Sequence, residues 1–105
     1  MSQVHQGSES VVVTPSHDVI SAYSQELRKI IFSVIKNGEK NIVLDLNNVE
    51  AIDSTGLGVP ISTQNTLQEV DGELVVINVT ADILRLFKIM RLDQHFKVVE
   101  RQVSS

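Results

Sequence analysis

Ser54 and Thr55 are adjacent hydroxyl residues in the sequence Asp-Ser-Thr-Gly-Leu-Gly, which occupies positions 53–58. Asp and Ser are favoured where a helix begins, so this stretch predicts a helix with a hydroxyl group in its first turn. The free N–H groups and the positive dipole end of such a turn accommodate a phosphate. We therefore expect phosphorylation of Ser54 to control a binding surface, with Thr55 as the second choice of acceptor.

Four neighbouring residues are expected to support that hydroxyl group. Asp53 either positions the Ser54 hydroxyl or caps the helix, while Gly56 and Gly58 are expected to leave the first turn approachable. Asp45 follows an apolar run and is expected to organise the loop before the site rather than to bind a metal. The competing interpretation is a plain helix cap at Ser54 without any modification.

A phosphate on Ser54 would add about −1.5 to −2 charge at pH 7 next to Asp45 and Asp53. The fold need not change in response. If a partner presents carboxylates to this surface, repulsion and desolvation would cost several kcal/mol, which corresponds to a ~100-fold or larger change in affinity. Such a change is large enough to switch binding on and off.

Hydrophobic patterning predicts the elements that carry this stretch, because apolar runs indicate strands and apolar residues three or four positions apart indicate helices. In chain order the predicted elements are a strand at 11–13, a brief strand at 19–20, a helix from Ser21 or Ala22 to Asn37-Gly38, a strand at 42–46, a helix opening near Ser54, a strand at 74–77, a helix capped by Thr80 or Asp82, and a strand at 96–99.

This alternation predicts an α/β domain with mostly parallel central strands and with helices lying on the sheet. Functional loops of such sheets gather beyond the C-terminal ends of the strands, which is where the sequence places Asp45 and the segment 53–56. Pro60 lies inside the helix that opens near Ser54. Because proline cannot donate a backbone hydrogen bond, we predict a kinked or partly irregular first turn, at a cost of ~3 kcal/mol unless it is offset.

A contact surface for a partner protein is predicted around the two later helices. Leu57 and Ser62 lie on the helix that opens near Ser54, whose face is unusually polar. Leu84 and Ile89 fall outside the apolar stripe of the last helix, and exposed apolar groups in small domains often mark partner sites. These four residues are the predicted partner-binding residues, with ordinary solvent exposure as the alternative for each.

The composition of the 105-residue chain argues against several other classes of function. The length suits a single domain, and four aromatic residues are too few for an aromatic-lined ligand cavity. A net charge of −4 without a basic cluster argues against binding nucleic acid. There is no cysteine, and the three histidines, His5, His17 and His95, lack metal-ligand spacing, so we expect no metal and no cofactor.

The sequence also predicts flexible chain ends and a location in the cell. Residues 1–8 and 102–105 are polar and are expected to be flexible, which leaves residues 9–101 as the domain. No signal peptide and no apolar stretch of the ~20 residues that span a bilayer is recognised. A cytoplasmic protein without membrane insertion is therefore expected.

The sequence resembles the STAS domain family, and within it the stand-alone anti-sigma factor antagonists. The resemblance covers about 60 residues and follows the order and spacing of its motifs. The matching segments are Ile42-Val43-Leu44-Asp45-Leu46, Ile52-Asp53-Ser54-Thr55-Gly56-Leu57-Gly58-Val59, Gly72-Glu73-Leu74-Val75-Val76 and Leu86-Phe87.

This resemblance implies a four- or five-stranded, mostly parallel (mixed) sheet with helices mainly on one face. It also implies that the unphosphorylated form binds an anti-sigma factor serine kinase and frees its client. Phosphorylation of Ser54 would end that binding, and a metal-dependent serine phosphatase would restore it. ATP and Mg²⁺ belong to the kinase in this cycle, so the chain itself needs no cofactor.

The chain departs from the family pattern at two places. The family has a Gly-rich hairpin with an acidic residue before its first helix, whereas residues 15–21 here read Pro-Ser-His-Asp-Val-Ile-Ser. Pro60 stands where an aliphatic residue is usual. These differences affect the edge of the expected partner surface and leave the acceptor residue in place.

Two other functions are weighed against this one. An enzyme is disfavoured because there is no Gly-x-Ser-x-Gly elbow and no phosphate-binding Lys after a glycine loop. A histidine such as His17 or His95 would also have to reach Ser54 by accident of folding. The second alternative is a constitutive STAS subunit of a larger regulatory or transporter-associated complex, in which Ser54 is not switched.

Overall fold

The structure is a computed structural model, and it describes residues 3–6 and 10–102. Strands and helices alternate along most of the chain. In chain order they are β1 (Gln3–Gln6), β2 (Val11–Thr14), α1 (Ser21–Lys36), β3 (Asn41–Asp45), α2 (Ser54–Gln68), β4 (Glu73–Val79), α3 (Ala81–Ile89), a 3₁₀ turn (Leu92–Gln94) and β5 (Lys97–Glu100).

The five strands form one sheet in the order β1-β2-β3-β4-β5. β1 pairs antiparallel with β2, and the other neighbouring strands pair parallel. Each parallel pair is joined through one helix, and right-handed crossovers that step in one direction place their helices on one face of the sheet. The prediction of an α/β fold with a mostly parallel, mixed sheet is confirmed.

Alternation along the central strands separates the two faces of the sheet. Ile42 and Leu44 in β3, and Val76 in β4, are at most 2% exposed and belong to the hydrophobic core. Their sequence neighbours Val43 and Val75 are half-buried and point to the other face. The helices therefore cover the first of these faces.

α1 follows its predicted pattern. Leu27, Ile31 and Ile35 are buried against the core, as the apolar spacing indicates. Gly38 has φ +100°, the left-handed conformation that a glycine just after a helix accommodates. The predicted start and end of this helix are both confirmed.

Two predictions near the N-terminus differ from the structure. Residues 19–20 do not form a strand: Val19 makes a single parallel bridge to Ile52, and Ile20 is 42% exposed. The segment 1–8, which we expected to be flexible, contains β1 at Gln3–Gln6. The domain limits of 9–101 stay a prediction, and residues 103–105 lie outside the described residues.

The first turn of α2 is helical, so the predicted irregularity is not found, while the predicted kink at Pro60 stays a prediction. The helix runs without interruption from Ser54 to Gln68 although Pro60 lies inside it. Pro60 and its neighbour Val59 are both buried, so burial of the apolar ring offsets part of the lost backbone hydrogen bond.

α3 buries fewer residues than its sequence pattern predicts. Ile83 and Phe87 are buried, and Leu86 is half-buried against the core. Met90, which the pattern places on the same face, is 49% exposed. The helix ends at Ile89, so the turn that follows carries Met90 away from the core.

Candidate functional site

Ser54 and Thr55 open α2 and are exposed to solvent. The preceding residue, Asp53, is the N-cap and has an extended backbone, with φ −94° and ψ −177°. Among the residues that the structure describes, Ser54 has no hydrogen-bond partner for its side-chain hydroxyl. The predicted acceptor is therefore accessible and is not needed to hold the helix end.

Asp53 fixes the beginning of both long helices. Its Oδ1 accepts a hydrogen bond from the Gly56 N–H at 2.7 Å, which is a normal N-cap contact. Its Oδ2 accepts one from the Ser21 N–H at 3.1 Å, where α1 begins. Both carboxylate oxygens thus serve backbone donors, and Asp53 caps the helix instead of positioning the Ser54 hydroxyl.

The two glycines after Ser54 have different surroundings. A Cβ on Gly56 would lie 1.9 Å from the Val19 carbonyl oxygen, so this glycine lets the first turn pack against the segment before α1. Gly56 is buried, and the expectation that it leaves the backbone approachable is wrong because Val19 covers it. Gly58 is half-buried, and a Cβ there would lie 3.8 Å from Nη1 of Arg28.

Asp45 organises the loop between β3 and α2, as predicted. Its Oδ1 accepts hydrogen bonds from the Asn47 N–H at 3.0 Å and from Nδ2 of Asn78 at 2.9 Å. Asn78 lies in β4 with φ +60°. None of these contacts involves Ser54. Asp45 can therefore affect the position of Ser54 only by holding the loop that precedes it.

Two residues that the sequence analysis did not single out hold the same loop. Asp18 Oδ1 accepts from the N–H groups of Glu50 and Ala51 at 2.8 and 3.2 Å. Arg101 Nη2 donates to the carbonyl oxygens of Leu46 and Val49 at 3.0 and 3.2 Å. These contacts span more than 30 residues of sequence, and no local pattern could have indicated them.

A groove of about 280 Å³ lies between α1 and α2. Phe32, which is 55% exposed, and the basic residues Arg28 and Lys29 line its α1 side. Ser62 and Thr66 line its α2 side. The groove therefore combines the apolar surface of Phe32 with two positive charges, between the two helices whose first turns Asp53 holds together.

The predicted partner-binding residues lie in different environments. Leu57 is 8% exposed and part of the hydrophobic core, and Leu84 is half-buried and packed against that core. Ser62 is half-buried and donates from Oγ to the Val59 carbonyl oxygen at 3.3 Å. Ile89 is 70% exposed. Of the four, Ile89 offers a large apolar surface, while Ser62 belongs to the groove.

The described residues contain no cluster of three or more His, Asp or Glu side chains that could hold a metal ion. His17 packs edge-on against Tyr23, with ring centroids 5.2 Å apart. Within residues 3–6 and 10–102, none of the helices has the length and apolar character needed to cross a membrane.

Comparison with known proteins relates the whole chain to one family model. The STAS domain model matches residues 2–104. In sequence, the chain is similar to the anti-sigma-B factor antagonist of Staphylococcus aureus. The two are 36% identical over 75 residues, which are 71% of this chain and 69% of the relative.

Solved structures support the same fold. A Thermotoga maritima protein superposes with a TM-score of 0.89 at 21% sequence identity, over 94% of this chain and 86% of that one. SpoIIAA, a Bacillus cell fate determinant solved in its phosphorylated form, superposes with a TM-score of 0.75 at 19% identity, over 93% and 90% of the two chains. At these identities the superpositions establish the fold.

Anti-sigma factor antagonists of this kind are regulatory binding proteins and not enzymes. They need no cofactor. The relatives therefore confirm that the chain is not an enzyme and uses no cofactor of its own.

Proposed function

Because the chain belongs to the STAS domain family, we propose that it is an anti-sigma factor antagonist switched by phosphorylation. In this proposal the unphosphorylated chain binds an anti-sigma factor that is also a serine kinase, and the bound kinase releases its client. The kinase phosphorylates Ser54 with ATP and Mg²⁺, which ends the binding. A serine phosphatase removes the phosphate and restores it.

The observation that carries this proposal is the exposed hydroxyl of Ser54 at the first position of α2. Asp53 performs the capping with both of its carboxylate oxygens, so esterification of Ser54 breaks no contact that holds the helix. Thr55 is also exposed, lies one residue further into the turn and is the second choice. The Bacillus protein SpoIIAA has a related fold and has been solved with phosphate attached, which supports a modification in this fold.

The switch is electrostatic in this proposal. A phosphate adds about −1.5 to −2 charge at pH 7 beside the carboxylate of Asp53. The modified helix end would repel partner carboxylates that can approach the unmodified one. This repulsion would make the free energy of binding less favourable by several kcal/mol. The helix keeps its cap, so binding changes while the fold is preserved.

Phosphate transfer provides the first test. The chain is incubated with ATP, Mg²⁺ and the anti-sigma factor kinase of the same organism, and the number and position of phosphates are measured by mass spectrometry. One phosphate is expected on Ser54. Ser54→Ala should accept none, whereas the matched control Thr55→Ala should react normally. Phosphate on Thr55 alone, or an unmodified chain beside a kinase active on another substrate, would overturn the proposed acceptor.

Binding to the same kinase provides the second test, by isothermal titration calorimetry. Ser54→Asp should bind ~10-fold or more weakly than the unmodified chain, because it adds one negative charge at the helix start. Ser54→Ala should bind as tightly as the unmodified chain. Gln68→Glu adds the same charge at the exposed far end of α2 and should change the affinity little.

A constitutive STAS subunit of a larger complex predicts the opposite results. In that case Ser54→Ala and Ser54→Asp bind the partner equally, and the kinase adds no phosphate. The two functions are therefore separated by the same pair of variants.

A further inference from the structure

We propose that Arg28 of α1 is the cation that receives the phosphate on Ser54, so that phosphorylation forms an ion pair between α1 and α2. This inference rests on the proposed function, because it concerns the same modification. It assigns a role to a residue outside the segment 53–58. In this inference the phosphate is bound by a side chain of the same chain that carries it.

The first support is the position of the Arg28 guanidinium over α2. Gly58 has no side chain, and Nη1 of Arg28 lies 3.8 Å from the place where a Cβ of residue 58 would be. Ser54 is four residues earlier on the same helix face, about 6 Å along the axis. Cα–Cβ bonds of a helix tilt toward its N-terminus. The position that a Cβ of residue 58 would occupy is therefore displaced toward the Ser54 end of α2.

The second support is the arrangement of the two helices. α1 begins at Ser21, whose N–H donates to Oδ2 of Asp53 at 3.1 Å, so the first residue of α1 lies beside the N-cap of α2. Further along, Arg28 lies beside Gly58, and Phe32 and Ser62 face each other across the groove. Residue numbers thus rise together along both helices, so α1 and α2 run side by side in the same direction.

This parallel arrangement brings Arg28 within reach of Ser54. Long side chains on a helix lean toward the N-terminal end, which for α1 is the end beside Asp53 and Ser54. A phosphate on Ser54 would lie toward that end, four residues before Gly58 on the same face of α2. In our proposal a rotamer change of Arg28 brings its guanidinium to the phosphate.

The third support is the chemistry of Arg28. The residue is exposed, and it makes no ion pair or hydrogen bond with the residues that the structure describes. A guanidinium group binds phosphate with two parallel hydrogen bonds, which is a better match than an ammonium group provides. An arginine without an ion pair among the described residues, beside Gly58 and about one helical turn from Ser54, is therefore a suitable receiver.

Formation of this pair would change the groove as well as the helix end. Arg28 and Lys29 are the positive charges on the α1 side of the groove. Once its guanidinium binds phosphate, Arg28 no longer offers its charge to a partner's carboxylate. Phosphorylation then adds negative charge at Ser54 and removes available positive charge from the neighbouring groove.

The experiment uses the full chain with phosphoserine installed at position 54 by genetic code expansion, so it needs no kinase. The second pKa of the phosphate is followed by ³¹P NMR titration in the chain and in Arg28→Ala. A nearby positive charge favours the dianion, so Arg28→Ala should raise that pKa by about half a unit or more. Arg28→Lys should give an intermediate value.

Lys36→Ala is the matched control, because it removes one positive charge from α1 two turns further from Ser54. It should leave the phosphate pKa unchanged, and amide NMR spectra verify that each variant is folded. The proposal is overturned if Arg28→Ala and Lys36→Ala give the same pKa as the unaltered chain. That result would not contradict the proposed function, which the phosphate-transfer test examines separately. A failed transfer test would likewise not affect the titration, because the titration needs no kinase.

Discussion

At the scale of single residues, Gly56 and Gly58 should respond oppositely to the same substitution. Gly56→Ala places a Cβ 1.9 Å from the Val19 carbonyl oxygen, a backbone atom, so the first turn must shift. Such overpacking should lower the free energy of unfolding by about 1–3 kcal/mol. Gly58→Ala meets its nearest atom at 3.8 Å and should raise stability by about 0.5–1 kcal/mol, since alanine suits a helix interior better.

Urea unfolding followed by circular dichroism measures both effects, and the unaltered chain is the reference. Equal changes in the two variants would mean that the contact with Val19 does not restrict residue 56. The sequence could not separate these glycines, because both lie in one short motif. What distinguishes them is contact with Val19 and Arg28, which are more than 25 residues away in sequence.

At the scale of elements, the loop between β3 and α2 depends on Arg101, which follows β5. Its guanidinium donates to the carbonyl oxygens of Leu46, Val49 and Asn78, the last through Nε at 3.3 Å. Arg101→Ala would remove all three of these hydrogen bonds, although the Leu46 carbonyl oxygen still accepts from the Val49 N–H at 3.0 Å. The substitution should lower the free energy of unfolding by about 1–3 kcal/mol. Amide hydrogen exchange across residues 46–53 should become faster, because the loop opens more often.

Lys97→Ala is the control for Arg101→Ala, because Lys97 is an exposed residue of β5. It should change neither the stability nor the exchange of the loop by a measurable amount. Unchanged exchange across residues 46–53 in Arg101→Ala would show that Asp18 and Asp45 suffice to hold the loop.

The elements themselves were largely predictable, since each depends on a local pattern. The apolar spacing of α1 and the apolar runs of β2, β3 and β4 correspond to the observed segments. The 3₁₀ turn at Leu92–Gln94 and the strand β1 were not predicted. β1 contains Gln-Val-His-Gln, a polar sequence whose strand conformation depends on its pairing with β2.

At the scale of the whole molecule, three helices on one face leave the sheet unevenly covered. Val12, Val43 and Val75 pair in register across β2, β3 and β4 and are all half-buried. Their neighbours on the helix side are fully buried. The sequence shows continuous apolar runs in these strands, and such runs do not reveal which face the helices cover. That information comes from the order of the strands.

The edge of the sheet gives the last prediction, which tests the expected domain limits of 9–101. β1 pairs with β2 from Gln3–Thr14 to Gln6–Val11, so a chain that begins at residue 9 leaves that edge of β2 open. Deletion of residues 1–8 should lower the free energy of unfolding by about 1–2 kcal/mol and promote self-association through the open edge. Urea unfolding and sedimentation velocity measure the two effects. Deletion of residues 103–105 is the control and should alter neither. If both deletions leave stability and mass unchanged, β1 contributes nothing to the domain, and the limits predicted from the sequence describe the folded unit.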